Sequence, residues 1–372
     1  MNVCIFSAKT GNGHYAVSRA IYERLQELEN VEVNVIYDFY EQLSPYTSIL
    51  SDFYNLLQTR SKALCKMFTE MSCMENIKKQ DEIYNLIETS IGSNLKKYSA
   101  DVILSITPLI NRYMIKYIKS NSMQTKYYEV ITDPFLPMYP GFDSLGADGY
   151  FCPTQIVYDY LREKGISEFN LFMTGYPVRK NFLCTKKKHN NIESRDQFTF
   201  LLNSGSNGNI NYIHIMESLC LIDVKREIKI ILLCGNNTLL YKMASQKYKD
   251  NPNVDVKLYE DNIHIMLETV DLCMTKPGAN TIFECINMKV PILVDGIDGL
   301  LFQESGIDSF LKEWSVGEVV YSIDDILEKL KKIIYHYDTY ADAVNRFPME
   351  DGVGNILSQI ITNHRERDLD DK

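Results

Sequence analysis

The feature that most limits what this chain can become is an alternation. Short apolar runs, too brief for helices, are interleaved with stretches of helical period. Residues 3–6 (Val-Cys-Ile-Phe) read as a buried strand and 7–14 as a glycine-bearing turn, after which Val17, Ile21, Leu25 and Leu28 recur at helical spacing. Val31, Val33 and Val35 alternate as the next strand. More strands are expected at 102–106, 128–132, 149–152 and 171–174, with helices near 111–118 and 155–164. The stretch 45–97 lacks strand signals and reads as helices rich in Tyr, Leu and Met. The alternation then restarts, with strands at 198–202, 228–234, 254–259, 272–275, 290–294 and 317–321. Helices near 210–221, 239–249, 262–267 and 281–288 fall between them. Such a series packs as parallel sheets covered by helices on both faces.

The chain has 372 residues, and at about 100–200 residues per domain this predicts two. Residues 181–196, with Lys186-Lys187-Lys188 and no periodicity, suit a linker. The expected layout is a domain at 1–180, the linker at 181–196, a second domain at 197–340 and a C-terminal helix with an irregular tail at 341–372. The tail is expected to lose regular structure from His364 onward, where nearly every residue is charged. A cleft should lie between the two α/β domains. No internal repeat of 20–50 residues is visible.

Composition closes several alternatives. A 45% hydrophobic and 24% charged chain is not intrinsically disordered. A net charge of −10 gives no overall attraction to nucleic acid. Nine cysteines, an odd number without a C-x-x-C pair, read as reduced core thiols, not as a disulfide or zinc framework. No run approaches the roughly 18 apolar residues of a membrane span, and 3–6 is too short for a signal peptide. The expected location is cytoplasmic, at most peripheral on the inner face of a membrane.

Two loops carry chemistry. Lys276-Pro277-Gly278-Ala279-Asn280-Thr281 stands between an apolar strand and a helix containing Ile282, Phe283 and Ile286. A helix N-terminus offers unpaired N–H groups and a partial positive charge, which suits phosphate. Gly278 lets a ligand approach the backbone, and Glu284 could accept hydrogen bonds from vicinal ribose hydroxyls. The plainer alternative is a Pro-Gly turn capping an ordinary helix. Residues 7–14, with Gly11, Gly13 and His14, form a second such loop at the first sheet's carboxyl edge, where ligands of open α/β sheets bind. A helix start favours neutral imidazole at His14, though a capping or surface histidine is the simpler reading. Asp133 also follows a strand, with turn initiation before Pro134 as its alternative. Gly11 and Gly13 lack a third glycine at the dinucleotide-fingerprint spacing, which disfavours a dehydrogenase.

Several motifs occur in one order: Gly11-Asn12-Gly13-His14, Ile131-Thr132-Asp133, Thr174-Gly175-Tyr176-Pro177-Val178-Arg179, Asp271 through Gly278, Thr281 with Glu284, and Gln303-Glu304. With them the chain resembles, over roughly residues 1–340, the processive diacylglycerol glucosyltransferases and monogalactosyldiacylglycerol synthases. More distantly it is similar to the lipid II glycosyltransferase of peptidoglycan synthesis. The resemblance implies a GT-B fold, two Rossmann-like domains with the acceptor side first and the nucleotide-sugar side second. It implies an inverting, metal-independent transfer of a hexose from a UDP-sugar to a lipid or other amphipathic acceptor, with no further cofactor. Carried over, Gly278 faces the diphosphate, Glu284 the ribose, Gln303 with Glu304 the sugar, and His14 the reaction centre. Ser204 and Gly205 open the matching loop of the second sheet.

Some positions depart from the family pattern. Pro137 stands where a histidine is usual, Phe302 replaces the Gly before Gln-Glu, and Ile307 replaces an Asn. Gly278-Ala279 replaces a Gly-Gly pair. The nucleotide elements therefore match better than the sugar-facing and acceptor-facing ones. A UDP-sugar-binding protein without turnover and a non-hydrolysing UDP-sugar epimerase stay open as alternatives. For the transfer, no D-x-D signature lies within residues 1–340 to hold a divalent cation. Charge on the leaving UDP would fall to the backbone near Gly278 and 204–208, with Arg179 or Lys276 as cationic help. His14 or Asp133 would be the base, and the resemblance favours His14. Lys186–Lys188 and the Tyr/Met/Phe-rich helices between Tyr46 and Met74 could meet an anionic membrane; the same residues equally suit a solvated linker and plain core.

Overall fold

The structure, a computed structural model, describes residues 1–9, 12–73, 77–183, 197–222, 224 and 226–370. The chain divides into two compact units. Met1–Lys180, Leu301–Ser305 and Glu350–Lys372 form the first, Asn181–Leu300 and Gly306–Met349 the second. Most of the expected linker, with Lys186–Lys188, lies outside the described residues.

In chain order the first unit contains β1 (Asn2–Phe6), α1 (Asn12–Leu25), β2 (Glu32–Ile36), α2 (Phe39–Gln42), α3 (Pro45–Arg60), α4 (Lys62–Cys73) and α5 (Ile77–Tyr98). It continues through β3 (Val102–Ser105), α6 (Asn111–Ser120), β4 (Lys126–Val130), β5 (Gly149–Cys152), α7 (Gln155–Glu163) and β6 (Leu171–Met173). The strands form one parallel sheet in the order β2-β1-β3-β4-β5-β6. Helices cover both faces, so β3 and β5 are buried at every position, which is why they read as unbroken apolar runs. Edge strand β2 keeps partial exposure and shows alternation instead. Helix α3 begins on a capping box: the Thr47 amide donates to Ser44 Oγ at 3.1 Å and the Ser44 amide to Thr47 Oγ1 at 3.0 Å, with Pro45 in the first turn.

The second unit runs β7 (Gln197–Asn203), α8 (Tyr212–Leu219), β8 (Glu227–Leu233), α9 (Thr238–Lys247), β9 (Val254–Lys257), α10 (Ile263–Thr269) and β10 (Leu272–Thr275). It ends with α11 (Ala279–Asn287), β11 (Ile292–Asp295), α12 (Ile307–Trp314), β12 (Gly317–Val320), α13 (Ile323–Tyr335) and α14 (Tyr337–Arg346). Its parallel sheet has the order β12-β11-β10-β7-β8-β9. This is the Rossmann order, three strands wound each way from the centre. The direction of winding reverses between β7 and β10, so the loops leaving these two strands part around a crevice at the carboxyl edge. In the first sheet the reversal lies between β1 and β3.

The last helix, α15 (Gly352–Asp370), belongs to the first unit. It is regular to Asp370, whereas the charged composition predicts an irregular tail from His364. Its seat is the Thr174–Pro177 stretch. Gly175 is left-handed (φ +79°), and a Cβ there would lie 2.6 Å from Glu350 Cβ. A Cβ on Gly352 would lie 2.6 Å from the Tyr176 carbonyl oxygen. Asn355 Nδ2 donates to the Thr174 carbonyl at 2.9 Å, and Arg24 Nη1 pairs with Asp351 Oδ2 at 3.0 Å. The glycine of this motif thus has a packing explanation.

Candidate active site

In the second unit the crevice between β7 and β10 gathers most of the residues expected to hold a nucleotide. Ser204 follows β7 directly and is fully buried; its hydroxyl (2.6 Å) and amide (3.2 Å) both donate to the Leu233 carbonyl. It therefore anchors the loop to β8 and turns no hydroxyl outward. Gly205 comes next, its amide donating to Asn203 Oδ1 at 3.0 Å. The Lys276 side chain lies over it, since a Cβ on Gly205 would be 3.3 Å from Lys276 Nζ. The ammonium is thereby brought from the β10 loop onto the β7 loop, across the point of reversal.

Helix α11 starts at this place. Helices α9 and α13 are capped by side chains, Asn237 accepting from Leu240 N and Ser322 from Asp325 N. The N-cap of α11 is Gly278, which has no side chain to offer. A Cβ on Gly278 would meet nothing within 4 Å, so space stands open at the helix end. Ala279, Asn280 and Thr281 form its first turn, partly exposed. Glu284 lies about one turn further on and is 8% exposed, a carboxylate that just reaches the surface.

Sequence reasoning missed the loop after β8. Gly235 is left-handed (φ +57°), and a Cβ there would stand 2.3 Å from the Gly205 carbonyl oxygen. Asn236 N donates to the Ser206 carbonyl at 2.7 Å, and Asn237 Nδ2 to that of Gly208 at 3.2 Å. These contacts shape residues 205–208 from below. A Gly-Asn-Asn run directly after an apolar strand was the available signal.

The remaining expected residues belong to the first unit. Gly13 and His14 sit in the first turn of α1, after β1; Gly11 lies outside the described residues. His14 keeps partial exposure, but desolvation pushes its imidazole down to about 4, so it is neutral at physiological pH. Asp133 follows β4, two strands away in the sheet, a separation of about 10 Å at the usual strand spacing. Its Oδ2 accepts the Tyr139 amide at 2.8 Å. Burial raises this carboxyl to about 6, more than that one hydrogen bond lowers it.

Gln303 and Glu304 were expected within the nucleotide-sugar domain, yet Leu301–Ser305 is part of the first unit. Leu301 is buried with Tyr54 and Cys65, against Leu57, Phe68 and Tyr139. The Gln303 amide hydrogen-bonds the Tyr54 hydroxyl, whose surroundings also include Asp133. Glu304 Oε2 accepts the Leu301 amide at 2.8 Å, closing its own turn. Within the first unit, Tyr54 thus links Gln303 to the surroundings of Asp133. Arg179, half-buried beyond edge strand β6, is likewise in the first unit.

Residues 14–178 match the monogalactosyldiacylglycerol (MGDG) synthase family, and residues 199–294 the glycosyltransferase family 28 C-terminal domain. The chain is 26% identical over 347 residues to the processive diacylglycerol beta-glucosyltransferase of Bacillus licheniformis, covering 90% of this chain and 86% of that one. It is 25% identical to the Bacillus subtilis protein of the same name over 351 residues, covering 91% and 88%. Among solved structures, Acinetobacter baumannii MurG matches with a TM-score of 0.67 at 12% identity, over 97% of this chain and 99% of that one. The chain thus has the GT-B fold, and through both halves it resembles the monogalactosyldiacylglycerol synthases and the processive diacylglycerol glucosyltransferases.

Proposed function

We propose that this protein is an inverting, metal-independent glycosyltransferase that moves a hexose from a UDP-sugar to a hydroxyl of a lipid acceptor. The observation that carries the reading is the glycine-capped start of α11, open at Gly278, beside an ammonium laid over Gly205. A diphosphate fits there by charge and by hydrogen-bonding sense: α11 supplies the positive end of its dipole and Lys276 a full charge. These groups would stabilise the charge that grows on UDP as the glycosidic bond breaks. Glu284, one turn along, is the candidate for the ribose. The names of the aligned relatives support a diacylglycerol-like acceptor.

The base is proposed to be Asp133. A base works best when its proton affinity approaches the operating pH. The Asp133 carboxylate at about 6 meets that condition better than the His14 imidazole at about 4. His14 then contributes a neutral ring at the start of α1. The acceptor-side domain is read as the first unit and the donor-side domain as the second.

Helices α3 and α4 present the candidate membrane surface. Ile49, Phe53 and Leu56 on α3 and Leu64, Met67 and Met71 on α4 are exposed at helical spacing. Among the described residues no helix is long and apolar enough to cross a membrane, so the reading is of a protein lying on the bilayer surface.

Calorimetry with UDP, followed by mass spectrometry of products formed from UDP-sugars and diacylglycerol, tests the proposal. Binding that weakens in Glu284→Ala, with hexosyl-lipid formed by the wild type, is the expected result. UDP affinity unchanged in that variant would remove the nucleotide assignment. An epimeric UDP-sugar formed without acceptor, with no net release of UDP, would favour the epimerase alternative.

A further inference from the structure

The loop leaving β1 is held from the side by helix α3, and nothing in the proposed chemistry accounts for that arrangement. Both backbone polar groups of Lys9 bond to side chains instead of to a neighbouring strand or turn. Its amide donates to Glu41 Oε1 at 3.0 Å, and its carbonyl accepts Asn55 Nδ2 at 2.8 Å. The same Glu41 oxygen accepts the hydroxyl of Ser51, which is 2% exposed, at 2.5 Å. Lys9 Nζ adds an ion pair to Asp38 Oδ2 at 3.2 Å. Glu41 belongs to α2, Ser51 and Asn55 to α3. A backbone segment with both its polar groups claimed in this way has little freedom to drift.

The geometry of α3 gives this strap a second side. At about 100° per residue, Ser51 and Asn55 share one face of the helix, while Ile49, Phe53 and Leu56 lie on roughly the opposite one. The apolar side chains are 66%, 45% and 51% exposed. One rigid helix therefore carries the candidate lipid face on one side and the grip on the β1 loop on the other.

We infer that Glu41, Ser51 and Asn55 are positioning residues through which α3 fixes the backbone at Lys9, five residues ahead of His14, in the geometry that glycosyl transfer requires. This role rests on the transferase reading above. Misplacing reacting groups by about 1 Å can cost about 10²-fold in rate, so losing the strap should lower kcat without weakening the donor site of the other unit.

The test compares wild type with Asn55→Ala, Asn55→Asp, Glu41→Ala and Glu41→Gln, each checked for an unchanged melting temperature. Glu41→Gln keeps an acceptor oxygen for Lys9 N and Ser51 Oγ, whereas Asn55→Asp puts an acceptor where the Lys9 carbonyl needs a donor. Expected are kcat losses of about 10- to 100-fold in Asn55→Ala, Asn55→Asp and Glu41→Ala. The KM for UDP-sugar and the calorimetric UDP affinity should not change, and Glu41→Gln should recover most of the rate. Hydrogen exchange at the Lys9 amide should rise in Glu41→Ala. An active wild type whose Asn55→Ala and Glu41→Ala variants retain kcat, or a Lys9 amide equally protected in Glu41→Ala, overturns the positioning role alone. A folded wild type that transfers no sugar overturns the transferase reading and this role with it.

Discussion

A carboxyl held near pH 6, as Asp133 is, works against the fold that holds it. Its ordinary value is 3.8 and its folded value about 6, so the native state binds the proton more tightly than the unfolded chain does. The sign follows: the cost is absent below the unfolded value and grows as pH rises through the folded one. With a discount for its remaining exposure, the penalty at pH 8 is about 1–3 kcal/mol. Asp133→Asn should keep the Tyr139 bond through its amide oxygen, raise Tm at pH 8 and leave it unchanged at pH 3. The same substitution should lower kcat by about 10²–10⁴. In the wild type, kcat/KM should fall as pH drops through about 6, because the base must be unprotonated. A fall only near 4, with Asp133→Asn still active, would transfer the role to His14. The sequence marked both groups, because each follows an apolar strand. It could not rank them, because desolvation depends on what the fold packs around each group. Ser204 shows the same limit: its place in the loop was legible, while the direction of its hydroxyl, toward Leu233, depends on a strand that pairs later in the chain.

At the level of elements, burial decided what could be read. β3 and β5, covered on both faces, appear as apolar runs, and their positions agree with the sequence reading. β4 lies at Lys126–Val130 instead of 128–132, because its first residue is a lysine and the apolar run continues past its end. Helices α12, α13 and α14 gave no clear warning, although Ser322 with Asp324 and Asp325 is a usable helix start. The winding order came from neither run nor period: strand order is set by which crossovers pack, and no local residue encodes it. Helices α3 and α4 were legible as helices, but their apolar residues serve two ends. Tyr54 and Cys65 are buried, while Ile49, Phe53 and Leu56 are not. If the exposed face meets lipid, each of these three contributes about 1 kcal/mol of transfer free energy. Replacing all three with serine should therefore weaken vesicle binding by about 100-fold while leaving UDP affinity intact. Flotation with vesicles containing anionic lipid measures this, and a triple variant that floats like wild type removes α3 from the membrane surface.

At the scale of the whole molecule the chain ends in the unit where it began, so the first unit is not complete until α15 is made. Val353, Ile356 and Ile360 are fully buried and Leu357 is 5% exposed. At about 1.5–3 kcal/mol for each buried aliphatic side chain, these four contribute about 6–12 kcal/mol. That is of the same order as the entire stability of a typical domain, about 5–15 kcal/mol. The polar contacts act in the same direction, with Asn355 on the Thr174 carbonyl, Asn363 on the Tyr128 hydroxyl and Asp351 on Arg24. Helix α15 is therefore a structural member of the first unit and not a removable tail. A chain ended at Met349 should lose the first unit's cooperative melting transition, and its residues 1–180 should become sensitive to protease. It should still bind UDP, because the loops at Gly205, Lys276 and Gly278 belong to the second unit. Differential scanning calorimetry with and without UDP separates the two effects. A truncated chain that melts like the full one would show that the buried apolar face of α15 adds nothing to the first unit, whereas loss of UDP binding alone would mean that the second unit's loops depend on it.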